Sequence, residues 1–209
     1  MSAQATMRKL SFLPCCALVL ALAGCSQPST TVEKEAEKPP EPIGGLSAFW
    51  KMYAVARSSW DRDCEVLNMG SIPLSQVPAV RGKAAAWGAT FVSPSRGKTR
   101  SYTFSVVEAE GNLHKDVFAG LEEPLSGASG QTFPPLAVKI DTDAALETAL
   151  KKAVDYEKQH PGKPISMQLE KVKKYQEPVW RIIWGDSVQT SDFSVYVGAS
   201  TGGYEETLH

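Results

Sequence analysis

Histidine is scarce in this chain: three residues in 209, namely His114, His160 and His209. They stand far apart, in a loop, at the end of an expected helix and at the last position, and no HExxH spacing occurs. That removes the usual helix-borne zinc site. Cysteine is nearly as rare. Of four, Cys15, Cys16 and Cys25 fall in the leading segment, and Cys64 stands alone in the rest. A lone cysteine forms no internal disulfide. With no local signature for a histidine base beside it, Cys64 reads as a buried structural thiol rather than a nucleophile. No GxSxG elbow occurs, and neither Gly82-Lys83 nor Arg96-Gly97-Lys98 completes a GxxxxGK[ST] phosphate loop. The polar run Asp61-Arg62-Asp63-Cys64-Glu65 reads as a solvated helix end with Cys64 turned inward. No cofactor, metal or catalytic set is expected. Excess charge is also missing: the formal net charge is −1. A nucleic-acid partner would require a basic face, and anionic lipid a polybasic patch.

What the chain does have begins at its first segment. Arg8 and Lys9 precede an apolar stretch from Leu10 to Ala23, which is shorter than the roughly 20 residues needed to span a bilayer. A positive start, a short apolar core and small residues before a break mark a secretory signal peptide, here residues 1–24. Leu22-Ala23-Gly24-Cys25 resembles the lipobox of bacterial lipoproteins. The resemblance implies cleavage before Cys25 and acylation of that cysteine. Two or more acyl chains anchor a protein stably in a bilayer, whereas one is marginal. In that family a Ser26 rather than an aspartate after the cysteine points to the outer over the inner membrane. Removing residues 1–24, with two cations and no acids, would leave a charge of −3.

Residues 25–45 then read as the lipidated cysteine and a tether. The stretch is rich in Pro, Glu, Lys, Ser and Thr and has almost nothing to bury. Such a composition predicts an extended, disordered spacer reaching up to roughly 60 Å.

From Leu46 the pattern turns periodic. Leu46, Phe49, Tyr53, Ala56 and Trp60 form one stripe of an amphipathic helix expected to end near Asp63. Cys64 to Ile72 reads as a strand. Ala84 to Val92 and Arg100 to Glu108 read as a hairpin around the turn cluster at residues 93–99, with Tyr102, Phe104 and Val106 on one face. Residues 114–135 read as loop. A second helix starts among Asp141, Thr142 and Asp143, where caps and negative charge suit exposed amides. Leu146, Ala149, Leu150, Ala153 and Val154 form its apolar face, and Pro161-Gly162 ends it. Strands follow at Ile165–Val172, Val179–Gly185 and Phe193–Ala199.

Both halves thus run helix, strand, hairpin. Setting AAAWGATFVSPSRGKTRSYTFSVVEAEG beside PVWRIIWGDSVQTSDFSVYVGASTG places Trp87 on Trp180, Phe104 on Val195 and Gly111 on Gly202. The self-match suggests duplication of one α+β unit. The expected units are residues 46–113 and 141–209, joined by a linker at 114–140.

The stretch ALETALKKAVDYEKQHPGKPISMQLEKV, with PVWRIIW and FSVYVGASTGGY after it, resembles the PepSY domain family. In that family a helix packs across a small antiparallel sheet. Its last strand typically ends in an aspartate or small residue before threonine-glycine, and Ala199-Ser200-Thr201-Gly202 carries alanine in place of the acid. Residues 46–112 match more loosely. The resemblance implies an α+β fold of two PepSY-like units and a binding or inhibitory role outside the cytoplasmic membrane. It brings no catalytic residue.

In Val179–Gly185, Trp180, Ile182 and Trp184 share one face, and Val179, Arg181 and Ile183 the other. One face covers a helix. The other packs on the second unit or meets a ligand, in which case Arg181, Ile183 and Tyr196 would form a partner-binding patch. Arg96 and Lys98 form a basic hairpin tip, a second candidate contact or simply a soluble turn. These features predict a lipid-anchored, non-enzymatic module of the cell envelope that binds a protein or peptide, with peptidase inhibition as a variant. The alternatives are a structural assembly factor of an envelope complex and an enzyme with an unrecognised site.

Overall fold

The computed structural model describes residues 39–111, 113–127 and 130–209. The signal segment, the lipobox, Cys25 and most of the tether lie outside the described residues. Lys38–His209 forms one compact unit. The chain enters through a two-residue strand β1 (Ile43–Gly44) and the helix α1 (Gly45–Ser59). Ala48, Phe49, Met52 and Ala56 are buried at helical spacing and set its inner face. The stripe is rotated slightly from expectation, since Leu46, Tyr53 and Trp60 pack only at its margin. The helix also stops earlier than Asp63, with Trp60 as its C-cap.

Next come β2 (Glu65–Ile72), the short β3 (Lys83–Ala84), β4 (Ala86–Ser93) and β5 (Lys98–Ser105). Residues 114–135, expected to be loop, instead contain the strand β6 (Asp116–Pro124). That strand lies at the sheet edge, so most of its side chains are exposed and little alternation is written into it. The second helix is broken. α2 (Thr142–Leu150) and α3 (Val154–Gln159) flank a turn in which the Ala153 N–H bonds the carbonyls of Ala149 and Leu150. The turn leaves Val154 half-exposed. β7 (Ile165–Glu170), β8 (Val179–Trp184), β9 (Ser194–Gly198) and β10 (Tyr204–Leu208) complete the fold.

Among the described residues, eight strands form one antiparallel sheet in the order β10-β9-β8-β7-β2-β4-β5-β6, and β1 pairs with β3 beside it. Four neighbouring strands come from each half of the chain, joined where β2 pairs with β7. The helices lie on one face: α1 over β4, β5 and β6, and α2 over β8 and β9. Trp87, Phe91, Tyr102, Leu169, Trp180, Ile182 and Trp184 form the core beneath them. The halves therefore join edge to edge through backbone hydrogen bonds. Among the described residues the two halves share one sheet, so the face carrying Val179, Arg181 and Ile183 is not sandwiched between them, although Val179 and Ile183 are buried.

The core is organised around the two tryptophans. The Trp87 Nε1–H donates to the Ile43 carbonyl (3.2 Å) and the Trp180 Nε1–H to the Ile140 carbonyl (2.9 Å). Each acceptor stands just ahead of a helix, so each indole ties a strand to a helix start. The expected alignment of Phe104 with Val195 shifts in the structure. Trp87 lies opposite Phe104 and Trp180 opposite Val197, which places Phe104 and Val197 at the same sequence distance from their tryptophans.

The N-termini of α1 and α2 share their caps. Asp141 Oδ1 accepts from the Thr142 N–H (2.7 Å) at its own helix and from the Leu46 N–H (2.9 Å) of the other. Thr142 Oγ1 accepts from the Gly45 N–H (2.8 Å). α1 has no capping side chain of its own, so its first amides are satisfied by residues from the second half. Gly44 and Gly45 make the approach feasible. A Cβ on Gly44 would lie 2.4 Å from Asp141 Oδ2, and one on Gly45 would lie 2.6 Å from the Thr142 Cγ2 methyl.

Candidate functional site

The join between the halves is short. Asn68 pairs with Glu170, Met69 with Leu169 and Gly70 with Gln168, and there the β2–β7 pairing stops. β2 continues to Ile72, still paired with Ala86 of β4, while the other end of β7 stays paired with β8 at Ile165 and Trp184. The two strands part like a fork. Ser71 sits in the crotch, its Oγ accepting the Met167 N–H at 3.0 Å. A hydroxyl thus replaces the main-chain carbonyl that would have continued the ladder.

The fork opens into a cavity of about 670 Å³, within the size range of sites that enclose small ligands. Ile72 and Leu74 line it from the first half. Leu146, Leu150, Ile165 and Met167 line it from the second. The apolar positions come from both halves, so neither half builds the cavity alone.

Four charged side chains also line it: Arg81, Glu157, Lys163 and Asp186. Two are committed within the fold. Lys163 Nζ donates to Asp192 Oδ1 (2.7 Å) and to the Tyr156 hydroxyl oxygen (2.6 Å), and the Tyr156 hydroxyl donates to Asp192 (2.5 Å). These bonds, that to Asp192 first, raise the Lys163 pKa, and the same contacts hold the Asp192 carboxyl far below the usual carboxylate range. Glu157 accepts the Trp184 Nε1–H. The other two are open. Among the described residues Arg81 pairs with Glu147 at 4.0 Å, and both side chains are mostly exposed, so the pair is weak. Among the described residues, Asp186 is exposed and has no hydrogen-bond or ion-pair partner.

Arg81 is held in place by its backbone. Val80 and Lys83 exchange N–H to carbonyl bonds (3.0 and 2.9 Å), closing a two-residue turn over Arg81 (φ 39°) and Gly82 (φ 78°). Two successive left-handed residues define the tight turn that favours glycine, so Arg81 is the strained member. The Thr142 hydroxyl donates to the Gly82 carbonyl (2.5 Å), fixing the turn to the start of α2.

The residues singled out from sequence lie elsewhere. Arg96 is spent locally: it pairs with Glu122 at 2.6 Å and lies over the Trp60 ring. Lys98 begins β5 opposite Ser93 and Pro124 at the same hairpin end. Arg181, Ile183 and Tyr196 do cluster, with Arg181 over the Tyr196 ring and its Nε–H on Ser194 Oγ (3.0 Å). Yet Ile183 and Tyr196 are only 2% and 7% exposed. The Tyr196 hydroxyl donates to Glu170 (2.9 Å), and burial, helped by Glu170, pushes its pKa up to about 12. Arg181 aligns with Gln168, Gly70 and Gly88 across the sheet, at mid-strand, so the hairpin tip and this cluster form no common surface.

Cys64 is buried, and desolvation pushes its thiol up to about 11, so it holds its proton at neutral pH. His114 lies 3.2 Å from Glu108, His160 packs at a tilt against the Tyr156 ring and His209 meets the Phe193 ring. Among the described residues, no three His, Cys, Asp or Glu side chains converge as metal ligands would. Sequence reasoning missed the fork and Arg81. The one local signal was Arg81-Gly82 between Val80 and Lys83, an X-Gly pair at a tight turn.

No protein-family model, curated protein or solved structure matches the chain.

Proposed function

We propose that this chain is a lipoprotein of the bacterial cell envelope, anchored through acylated Cys25 and carried on the Pro/Glu-rich tether. On this reading it sits at the outer rather than the inner membrane. Its folded part is a non-enzymatic module that binds a peptide or a peptide segment of a protein partner, inhibition of a peptidase being one use of that binding. The fold is two PepSY-like units fused through β2 and β7. The matched positions of Trp87 and Trp180, each bonded to a carbonyl ahead of a helix, support the duplication.

The observation that carries the binding role is the cavity in the fork: apolar within, charged at its mouth and assembled from both halves. Polar side chains that touch it through committed bonds, such as Glu157 and Lys163, are poorly placed to act as acid or base, which favours binding over turnover. The test is a pull-down from crosslinked envelopes with the full chain, a Cys25→Ser control and a Leu74→Trp variant that fills the cavity. The reading predicts a protein enriched by the wild type and lost with Leu74→Trp. Membrane fractionation should release the Cys25→Ser form. Enrichment that ignores Leu74→Trp would remove the cavity from the function.

A further inference from the structure

The open charges at the cavity mouth carry the reading further. Arg81 reaches the mouth from the loop between β2 and β3, and Asp186 from the segment after β8. They belong to opposite halves, and among the described residues neither has a strong partner. Both line the same apolar chamber, which also borders two strand ends that have stopped pairing with each other. Strand ends left unpaired in this way are where an extended chain is received through its main chain. A ligand that answers all of this has an apolar body, an extended backbone, an anion at one end and a cation at the other. An acyl chain with a carboxylate would satisfy Arg81 and leave Asp186 unanswered.

We infer that the fork binds short apolar peptides with free termini, the C-terminal carboxylate toward Arg81 and the N-terminal amine toward Asp186. The inference rests on the cavity being a ligand site. The strained turn serves it. Arg81 is carried on a left-handed backbone turn tied to Thr142, so little loop ordering remains to be done on binding.

The test uses the full chain and two kinds of probe. The dye 1-anilinonaphthalene-8-sulfonate reports on the apolar chamber, and calorimetry measures the tripeptide Leu-Val-Leu with free termini, its C-terminal amide and its N-acetyl form. The expected result is dye fluorescence displaced by Leu-Val-Leu, with the amide bound about tenfold more weakly, as for loss of one charge-assisted contact. Arg81→Gln should lower the free tripeptide to the level of the amide and leave the amide unchanged. Asp186→Asn should do the same for the free and N-acetyl forms. Leu74→Trp should abolish both dye and peptide binding. Equal binding of free and blocked peptides would overturn the inference, as would dye displaced by laurate and not by peptide. Peptide binding that survives Leu74→Trp would overturn it too. Dye that never binds would bring down the ligand-site reading itself.

Discussion

Trp87 and Trp180 meet edge to face at the middle of the sheet, ring centroids 6.4 Å apart at 69°, and both are fully buried. Each also holds a helix start through its indole N–H. One contact thus links two strands, two helix entries and the two halves of the chain. Gly45 sits directly above it, because a Cβ there would lie 3.0 Å from Trp180 and 3.1 Å from Trp87.

Truncating either ring should therefore be severe. Trp87→Ala and Trp180→Ala should each cost about 3–5 kcal/mol in urea unfolding, the usual range for a large buried aromatic. The double variant should cost less than the sum by about 1 kcal/mol, since each single change already removes the edge-to-face contact. Strict additivity would mean that the rings are held independently.

Asp141 predicts a second long-range effect. It was readable in the sequence as the start of α2, and it does bond the Thr142 N–H. Its bond to Leu46, in the other half, was not readable. Asp141→Ala should cost roughly 2–3 kcal/mol, about twice a typical single cap, because two helices lose an acceptor. Hydrogen exchange at the first turn of α1 should accelerate along with that of α2. Protection unchanged in α1 would show that the shared cap is without energetic weight.

The same contrast runs through the molecule. Strands were legible where apolar residues are buried in regular alternation or in a run: in β8 the alternation placed Trp180, Ile182 and Trp184 beneath the helices, as found, and only Arg181 interrupts the burial. β6 was not legible, since Leu121 is 88% exposed and its neighbours alternate little. The break after α2 was hidden because Ala153 and Val154 continue the apolar spacing, although only Ala153 is buried. The fork was beyond local pattern altogether. It depends on where β2 stops pairing with β7, two strands from opposite halves, and on Ser71 meeting Met167.

Acid should loosen the α3 end of the cavity. The Asp192 pKa is depressed by Lys163 and Tyr156, so its contribution is present above the unfolded value of 3.8 and lost as pH falls through the folded one. The Lys163 pKa is raised, so its contribution is present below the unfolded value of 10.5 and lost as pH rises through the folded one. Between about pH 5 and 9 both are in place. Melting curves of wild type and Asp192→Asn should stay separated by a constant interval across that window and converge in acid. An interval that does not change in acid would exclude the pairing as a source of stability.

The turn at Arg81-Gly82 allows contrasting predictions at adjacent positions. Gly82 has φ 78°, and a Cβ there would lie 2.7 Å from Asp143 Cα and 2.8 Å from the Thr142 carbonyl oxygen. These are backbone atoms at the start of α2, which cannot swing aside as a side-chain tip would. Gly82→Ala should destabilise by about 1–3 kcal/mol, combining left-handed strain with the clash. Arg81, at φ 39°, carries backbone strain as a non-glycine residue, and its ion pair with Glu147 is long and exposed. Arg81→Gly should therefore leave stability unchanged or raise it by up to about 1 kcal/mol, as the released strain offsets the greater freedom of glycine in the unfolded chain. Paired urea titrations settle it. A loss of stability in Arg81→Gly comparable to that in Gly82→Ala would assign Arg81 a structural role and remove the reason to regard its strained backbone as serving the cavity mouth.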